Sequence, residues 1–529
     1  MRKNYKNTSL LSLILITLSI FAKAQTDSTE AVSIYGFYAY FSSLKNVSTA
    51  SELTIQGNAS HTSTGVQLTP KIKSQFGGLY IDKRSVTSVN GLHVEFEYDM
   101  KGGVPESGKY GDGLSFFLYD GAITNPAIGA RGAGLGYSFN RANNKSSDKR
   151  QAGLTGAYLG IALDQFGNFK HRRFQGESRI NGIPQQWVWD ISEPSHITLR
   201  GARGKSIDSN KGQGDGFTGY PLLITQSTLA NGFGKKLNPN NGNFEDINLA
   251  SPPNFELRNQ NNEFRKVYMD LIPHFINGTT TDGFDIKVSI QNGENTSPID
   301  VINYYHYKTS VTYIENANPK TTDYNESDDT GDSTTHILNA NVPTKLKLGF
   351  AASTGESAQQ HIIRNVKLTL PYSAITNDDT ISTCKGQPVQ IPVLENDIAY
   401  RGPISITNPP IAHKDYIDLR TFSFEKGPDE SDGTPDLTLY RKKVTSEGTW
   451  IFNKNTGIVT FIPSNGFTGT ANMTYSVKGF TKKDSTGKIT EPFGDTAYRS
   501  IPSTITVNLK TTGCTSAVIS NKMVTQDIK

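Results

Sequence analysis

The chain lacks several features that would place it in the common disulfide-rich, membrane-spanning or nucleic-acid-binding classes. Only two cysteines, Cys384 and Cys514, occur in 529 residues, which excludes a disulfide-framework fold and a cysteine-ligated zinc site. After the N-terminal segment no apolar run reaches about 18 residues, so we expect no transmembrane segment in the mature chain. The net charge is only +4 and basic residues do not cluster, so we expect no nucleic-acid partner.

Motifs of several enzyme classes are also missing. The sequence contains no Gly-x-Ser-x-Gly nucleophile motif, no His-Glu-x-x-His zinc motif and no phosphate-binding loop. Glu95, Glu97 and Asp99 alternate along one predicted strand and superficially resemble the acidic strand of sandwich-fold glycosidases, which need two carboxylates in a cleft. The pattern favours a solvated strand face, so we predict a protein that is not an enzyme. A glycoside hydrolase stays as an alternative.

The first 24 residues predict an export signal. A basic start with Arg2 and Lys3 precedes an apolar stretch at 10–21, and Ala22-Lys23-Ala24 has the small-x-small form of a cleavage site. We therefore expect residues 1–24 to be a signal peptide, the mature chain to begin at Gln25, and the protein to be secreted or attached to the cell surface.

An all-β fold is predicted by the composition and by the alternation of apolar and polar residues. Gly, Asn, Ser and Thr are abundant, and in 92–100 the even positions are apolar and the odd positions polar. Residues 25–372 therefore predict a large sandwich, with the polar stretches 207–262 and 315–336 as edge insertions or partly ordered loops. Further predicted strands are Leu114–Leu118, Tyr158–Leu163, His196–Leu199, Val267–Leu271, Phe284–Ile290, Leu346–Ala351 and Ile362–Leu370.

A second, smaller domain is predicted at 373–510. Val389, Ile391 and Val393 alternate with polar residues, and further short strands are separated by turn signals. This pattern is typical of an immunoglobulin- or cadherin-like sandwich. Residues 511–529 are a tail or the start of a further module, and the pattern leaves open whether Cys384 and Cys514 pair.

Three distant segments carry a family resemblance. Residues 111–118, 159–168 and 346–355 each join a short apolar strand to a polar or Gly-rich loop. Together they resemble the L-type (legume-type) lectins, in the variant found in bacterial surface proteins. The resemblance implies a concanavalin-like jelly-roll sandwich whose loops bind glycans at one edge. The phrases at 392–397 and 457–463 resemble the cadherin-like repeats of bacterial adhesins.

Five residues match the sugar-binding positions of that family. By the resemblance, Asp112 accepts hydrogen bonds from sugar hydroxyls, the backbone at Gly134 approaches the sugar, Phe166 stacks on the sugar ring, Asn168 contributes its amide, and Gly355 opens the variable specificity loop. The predicted function is non-catalytic glycan binding by an exported lectin or adhesin, with several copies acting together. The alternative is a structural or protein-binding adhesin that has lost the sugar.

The same resemblance implies a metal site beside the sugar. The expected calcium ligands are Asp164, the main-chain carbonyl of Phe166 and Asn168, and the ion would order their loop. Ala162 stands where the plant lectins have a Glu that holds a transition metal, so we expect no manganese and at most one calcium ion. Alternatively, Asp164 caps its loop without a metal.

Overall fold

The structure of the chain is a computed structural model. It describes residues 38–40, 53–81, 85–88, 91–139, 151–170, 193–209, 213–260, 263–276, 280–316, 333–401, 406, 410–425, 439–479, 482–483, 489–491, 499–500 and 502–513. The predicted signal peptide and Cys514 lie outside these residues. Cys384 is disulfide-bonded.

The described residues form two compact units. Apart from residues 404–408, one unit runs from Tyr38 to Pro371 and the other begins at Tyr372. Almost all regular structure in both is β-strand, which confirms the predicted all-β fold class. Among the described residues, no helix combines the length and apolar character needed to cross a bilayer.

The first unit contains two large antiparallel sheets. One has ten strands and the other has eight. In spatial order the ten-stranded sheet contains β13 (Phe244–Asp246), β12 (Gly234–Leu237), β11 (Leu222–Ser227), β10 (His196–Arg200), β9 (Ala157–Asp164), β8 (Gly113–Asp120), β19 (Lys345–Ser353), β5 (Phe76–Ile81) and β2 (Leu53–Gly57), with β6 (Val86–Thr87) also on β19. The eight-stranded sheet contains β16 (Ile299–Tyr307), β15 (Thr280–Asn292), β14 (Arg265–Ile276), β7 (Leu92–Val104), β20 (Ala358–Thr369), β4 (Gly65–Thr69) and β3 (Ser60–Thr62), with β1 (Tyr38–Tyr40) also on β20.

The core of this unit lies between the two sheets. Along β7 the predicted alternation holds from Leu92, whose apolar neighbours at even positions are buried. Phe96 of the eight-stranded sheet meets Phe116 and Phe350 of the ten-stranded sheet, with ring centroids 6.5 Å and 5.1 Å away. Interdigitating aromatic rings from facing sheets are what a sandwich core requires.

The stretch 207–262 contributes more regular structure than its composition suggests. It contains β11, β12 and β13, which extend one edge of the ten-stranded sheet, as expected for an edge insertion. The apolar run Leu222-Leu223-Ile224 was the available signal for β11. In the acidic stretch 315–336, β17 (Ser310–Asn316) pairs with β18 (Ser333–Asn339), and residues 317–332 lie outside the described part.

The second unit is a smaller sandwich built on two four-stranded sheets. Its core contains Trp450 and the stacked rings of Phe422 and Phe452, whose centroids are 3.7 Å apart. One sheet contains β21 (Asp379–Cys384), β32 (Ser503–Lys510), β29 (Gly469–Gly479) and β25 (Ile417–Phe424), and the other contains β22 (Val389–Ile391), β28 (Ile458–Pro463), β27 (Gly448–Asn453) and β26 (Lys442–Val444). Two short pairs complete the unit, β23 (Ala399–Arg401) with β24 (Ile411–His413) and β30 (Lys482–Lys483) with β31 (Ile489–Glu491).

Three adjacent strands of the ten-stranded sheet bring the predicted site loops to one edge. β8 lies between β9 and β19, and all three are antiparallel to their neighbours. Leu114 pairs with Leu163, and Gly113 pairs with Ser353. The start of β8, the end of β9 and the end of β19 therefore lie side by side, with the loops 111–112, 165–170 and 354–357 leaving the same edge.

Candidate functional site

Asp112 lies at the centre of this loop cluster. Its N–H donates to the carbonyl of Ser353 at 2.7 Å, and its own carbonyl accepts from the N–H of Phe166 at 2.8 Å. The peptide bond between Gly111 and Asp112 is cis. Main-chain bonds thus attach Asp112 to both neighbouring loops, and its side chain is only 5% exposed.

Two buried oxygens at this point have no hydrogen-bond donor among the described residues. Asn168 Nδ2 donates to Asp112 Oδ1 at 3.4 Å, whereas Asp112 Oδ2 and Asn168 Oδ1 have no partner among the described residues. Burial raises the pKa of the Asp112 carboxyl to about 7, opposed by the Asn168 hydrogen bond and reinforced by the charge of Asp164. Leaving buried acceptors unpaired costs free energy, so the pair is suited to a ligand that brings donors.

Gly355 borders the Asp112 carboxylate. A Cβ atom added at Gly355 would lie 3.7 Å and 3.8 Å from the two carboxylate oxygens and would meet no other atom within 4 Å. There is therefore room for a ligand atom beside the carboxylate at this point, and a larger side chain would extend into that space.

Gly134 belongs to a 3-10 turn that is connected to the same cluster. The turn covers Gly132–Gly134, and the N–H of Gly132 donates to Ser353 Oγ at 2.7 Å. Because the carbonyl of Ser353 accepts from Asp112, one serine joins the Gly-rich turn to the carboxylate loop. Gly134 itself is buried.

Phe166 is in the cluster, but little of its ring is open to a ligand. Phe166 is 8% exposed. Gly111 packs closely against it, because a Cβ atom added at Gly111 would lie only 2.7 Å from the Cβ atom of Phe166. The ammonium of Lys109 lies 5.7 Å from the ring centroid, at the distance of a cation–π contact. In this conformation Phe166 supports the loop more than it presents a stacking face.

Asp164, the principal expected calcium ligand, is fully buried and surrounded by donors. Its Oδ1 accepts from the N–H groups of Gly167 at 2.9 Å and Phe169 at 3.2 Å, and its Oδ2 accepts from the N–H of Lys170 at 3.3 Å. Burial raises the pKa of Asp164, while the Lys170 charge and the N–H donors oppose that rise. These bonds are those of a carboxylate that caps its own loop.

A buried ammonium group lies next to this carboxylate. Lys170 Nζ is 3.9 Å from Asp164 Oδ2, and both side chains are inaccessible to solvent. It donates to the main-chain carbonyls of Gly167 at 2.9 Å and Glu193 at 2.6 Å. Burial lowers the pKa of Lys170 to about 8, against the charges of Asp164 and Glu193, so the group stays mostly protonated at pH 7.

The arrangement does not fit a calcium ion at Asp164. Calcium binds oxygen ligands at about 2.3–2.6 Å, so an ion on Oδ2 would lie close to a buried like charge only 3.9 Å from that atom. Oδ1 already accepts two N–H groups. Of the side-chain ligands expected from the sequence, only Asn168 Oδ1 is without a partner among the described residues.

The acidic strand face of β7 is engaged in ion pairs. Arg364 bonds both Glu97 and Asp99, and Lys266 lies 2.6 Å from Glu95. Burial acts to raise the pKa of Asp99, but hydrogen bonds from Arg364 and Asn259 outweigh it and bring the pKa to about 2. A general acid for glycoside cleavage needs a raised pKa, so this face does not form such a pair.

Sequence reasoning missed Lys170 and several histidines. His196 and His361 are fully buried. Burial lowers the pKa of each of them to about 3, so both are neutral. Lys170 follows Phe169 in a segment without periodicity, and nothing in the local pattern marks it as a buried residue.

The comparisons with known proteins concern the two units separately. A family described as a bacterial Ig domain matches residues 371–491, which confirms the Ig-like prediction for the second unit. No curated protein matches the chain.

Solved structures similar to the chain are L-type and legume lectins. The exoplasmic/lumenal domain of VIP36 in its calcium- and mannose-bound form is 14% identical, with 64% of this chain and 90% of that chain covered and a TM-score of 0.32. Peanut lectin with a nine-residue peptide is 15% identical, with 63% and 98% covered and a TM-score of 0.30. A lectin from Bauhinia forficata in complex with GalNAc is 11% identical, with 65% and 97% covered and a TM-score of 0.29. Scores this low carry no functional argument, and the sandwich assignment rests on the sheets and core described above.

Proposed function

We propose that the first unit is a non-catalytic carbohydrate-binding domain centred on Asp112 and Asn168. The observation that carries the proposal is the pair of buried oxygens, Asp112 Oδ2 and Asn168 Oδ1, which lack donors among the described residues. Adjacent sugar hydroxyls can each donate to such an oxygen. The free space beside Gly355 offers a place for the sugar, and the Asn168 amide orients the carboxylate.

In this proposal no metal ion is needed to order the loop 165–170, which carries Asn168. The Lys170 ammonium and the Asp164 carboxylate, 3.9 Å apart, supply the order that a calcium ion was expected to provide. Calcium bound through Asp164, Phe166 and Asn168, the expectation from the resemblance, would require Lys170 to leave its carbonyl partners. We therefore propose sugar binding that does not depend on calcium, and no manganese site.

The biological setting follows from the N-terminal segment and from the weakness of single sugar sites. A dissociation constant near 1 mM corresponds to about 4 kcal/mol, so adhesion or glycan capture requires several copies acting together. We propose that the protein acts outside the cell or at its surface, because residues 1–24 have the pattern of an export signal.

One observation favours a second candidate function. Asp112 is only 5% exposed, as expected if the sandwich had kept its scaffold and closed the sugar site. The chain would then be a structural or protein-binding adhesin. In the lectin proposal, a sugar gains access to the carboxylate along the Gly355 side of the cluster.

A glycan-array screen of the full chain, with and without a chelator, distinguishes the lectin function from that of a structural or protein-binding adhesin. The lectin proposal expects a defined set of glycans whose binding is lost in Asp112→Ala and kept in Asp120→Ala, a control change at the last residue of β8, the strand that Asp112 precedes. Absence of glycan binding at millimolar concentrations would favour the structural candidate, and equal binding by both variants would place the sugar away from Asp112.

A further inference from the structure

We propose that His274, Asp285 and His306 form a binding site for a divalent transition-metal ion such as Zn²⁺. The three residues lie on β14, β15 and β16, which are neighbours at one edge of the eight-stranded sheet. Asp285 is directly opposite His306 in the ladder between β15 and β16. On the other side of β15, the ladder with β14 shifts register between Pro273 and Phe275. A register shift of this kind changes the direction of the side chain at the intervening residue, here His274.

The contacts in this histidine–aspartate cluster are close. His274 Nδ1 lies 2.9 Å from Asp285 Oδ2, and the rings of His274 and His306 stack with centroids 3.7 Å apart and an interplanar angle of 19°. His306 Nε2 is 2.7 Å from the carbonyl of Asp282. A carbonyl only accepts, so Nε2 carries the hydrogen in this contact and the lone pair of neutral His306 is on Nδ1. A backbone carbonyl that fixes the tautomer in this way is the usual support of a metal-binding histidine.

The donor set selects the class of metal. One ligand atom from each of the three residues can be chosen so that all lie within 4.8 Å of one another. Two imidazole nitrogens and a carboxylate oxygen suit Zn²⁺ and its neighbours, whereas Ca²⁺ and Mg²⁺ prefer oxygen alone. Ligand atoms around tetrahedral zinc are roughly 3.3 Å apart, given bonds of about 2.0–2.1 Å. The side chains must therefore draw together, and the stacked imidazole rings must turn out of their near-parallel arrangement so that a nitrogen of each points at the same ion.

The exposure of the three side chains permits that adjustment. The side chains of His274 and His306 are 34% and 25% exposed, whereas that of Asp285 is 5% exposed. The carboxylate is therefore fixed in the sheet while the imidazoles can turn toward an ion. Water can complete the coordination shell from the solvent side.

The cluster is remote from the proposed sugar site. On β7, Leu92 pairs with Leu271 near the His274 end of β14, whereas Val104 pairs with Ala358, just after the loop at Gly355. The 13 residues of β7 separate these ends by roughly 40 Å at about 3.3 Å per residue. A metal here would tie three strands together and stabilise the folded state by binding it selectively, without touching a sugar.

The experiment is calorimetric titration of the untagged full chain with ZnCl₂, with CaCl₂ as the comparison ion. We expect one saturable zinc site per chain, a higher melting temperature with zinc and no response to calcium. In His274→Gln/His306→Gln the zinc affinity should fall by about tenfold or more. His336→Gln, which removes a histidine from β18, should keep the site.

Several results would overturn the proposal. These are the absence of saturable zinc binding by the wild-type chain, or stoichiometric binding retained in the folded double variant. If the double variant loses its β-sheet circular dichroism, His306→Gln alone decides, because that change leaves the bonded Asp285–His274 pair intact. Unchanged affinity in that variant would also refute the site.

Discussion

Asn168 and Asp112 meet through a hydrogen bond of 3.4 Å between Nδ2 and Oδ1, although they are 56 positions apart in the chain. The bond joins the loop after β9 to the loop before β8. It leaves one oxygen of each side chain buried without a donor among the described residues. The proposal of sugar binding and the first two predictions below depend on this relationship.

Asp112→Ala should abolish glycan binding and leave folding nearly unchanged. A hydrogen bond to a charged group contributes roughly 1.5–3 kcal/mol, which is most of the binding free energy of a millimolar ligand. The main-chain bonds of Asp112 to Ser353 and Phe166 remain in alanine, and removal of the buried Oδ2, which has no donor among the described residues, offsets the lost packing. Calorimetry with an array-selected glycan and thermal melting measure the two effects. Unchanged affinity would refute the role of Asp112.

Gly355→Leu should block the site, whereas Gly355→Ala should weaken binding only slightly. A Cβ atom at Gly355 has room, and its nearest neighbour is the Asp112 carboxylate 3.7 Å away, so we expect a leucine side chain to occupy the space beside that carboxylate. Gly214→Leu is the matched control, since a Cβ there meets only Ser209 at 3.9 Å. Glycan titration of the three variants measures the effect, and full binding by Gly355→Leu would place the sugar elsewhere.

Removal of calcium should change neither glycan affinity nor melting temperature. Lys170 Nζ lies 3.9 Å from Asp164 Oδ2 and supplies the positive charge that a bound ion would contribute. The comparison is between chelator-treated and calcium-loaded full chain, by melting and by glycan titration. If binding falls on chelation and returns with calcium, the site at Asp164, Phe166 and Asn168 binds the ion after all.

Lys170→Met should destabilise the first unit strongly. Removing one partner of a buried ion pair leaves an uncompensated charge, which costs about 3–5 kcal/mol. The change also removes the donor to the carbonyls of Gly167 and Glu193. Chemical denaturation gives the free energy of unfolding, and Lys205→Met, on an exposed lysine, is the control. If Lys170→Met lowers the free energy of unfolding no more than Lys205→Met does, Lys170 does not stabilise the loop 165–170.

The second unit should lose stability as pH rises from 4 to 8. Tyr475 Oη lies 2.8 Å from Asp397 Oδ2 and 3.3 Å from Asp379 Oδ2. Burial, with a further contribution from the charge of Asp379, raises the pKa of Asp397 to about 7, although bonds from Asn377 and Tyr475 oppose this. Because the folded-state pKa exceeds the unfolded value of about 3.9, the folded state binds the extra proton in this window. The contribution of Asp397 to stability is therefore greatest below about pH 4 and is lost as the pH rises to about 7, by up to about 4 kcal/mol.

Hydrogen exchange of β29 measures this pH effect within the second unit itself. Exchange protection should fall between about pH 4 and 7 after correction for the intrinsic rate. Asp397→Asn should show a much smaller fall, because its side chain has no proton to lose. Protection that rises with pH in the wild-type chain would contradict the raised pKa.

Much of the fold could be predicted because strand alternation is a local property. Leu92 to Met100 showed which face of β7 is buried before any partner strand was known. Asp112, Phe166, Asn168 and Gly355 were expected from the resemblance to the L-type lectins, and the structure brings their loops to one edge. The exposure of Phe166 could not be predicted, since it depends on how closely Gly111 and Lys109 approach its ring.

By itself, the sequence determined the class of fold and the order of the two units, because these depend on periodicity, whereas the residues of the candidate sugar site were expected from the family resemblance. Only the tertiary structure decided that Lys170 lies beside Asp164 and that His274, Asp285 and His306 share one patch. Those arrangements depend on strand register and loop path, and a shift of one residue in a strand moves its side chains to the opposite face. No local pattern carries that information.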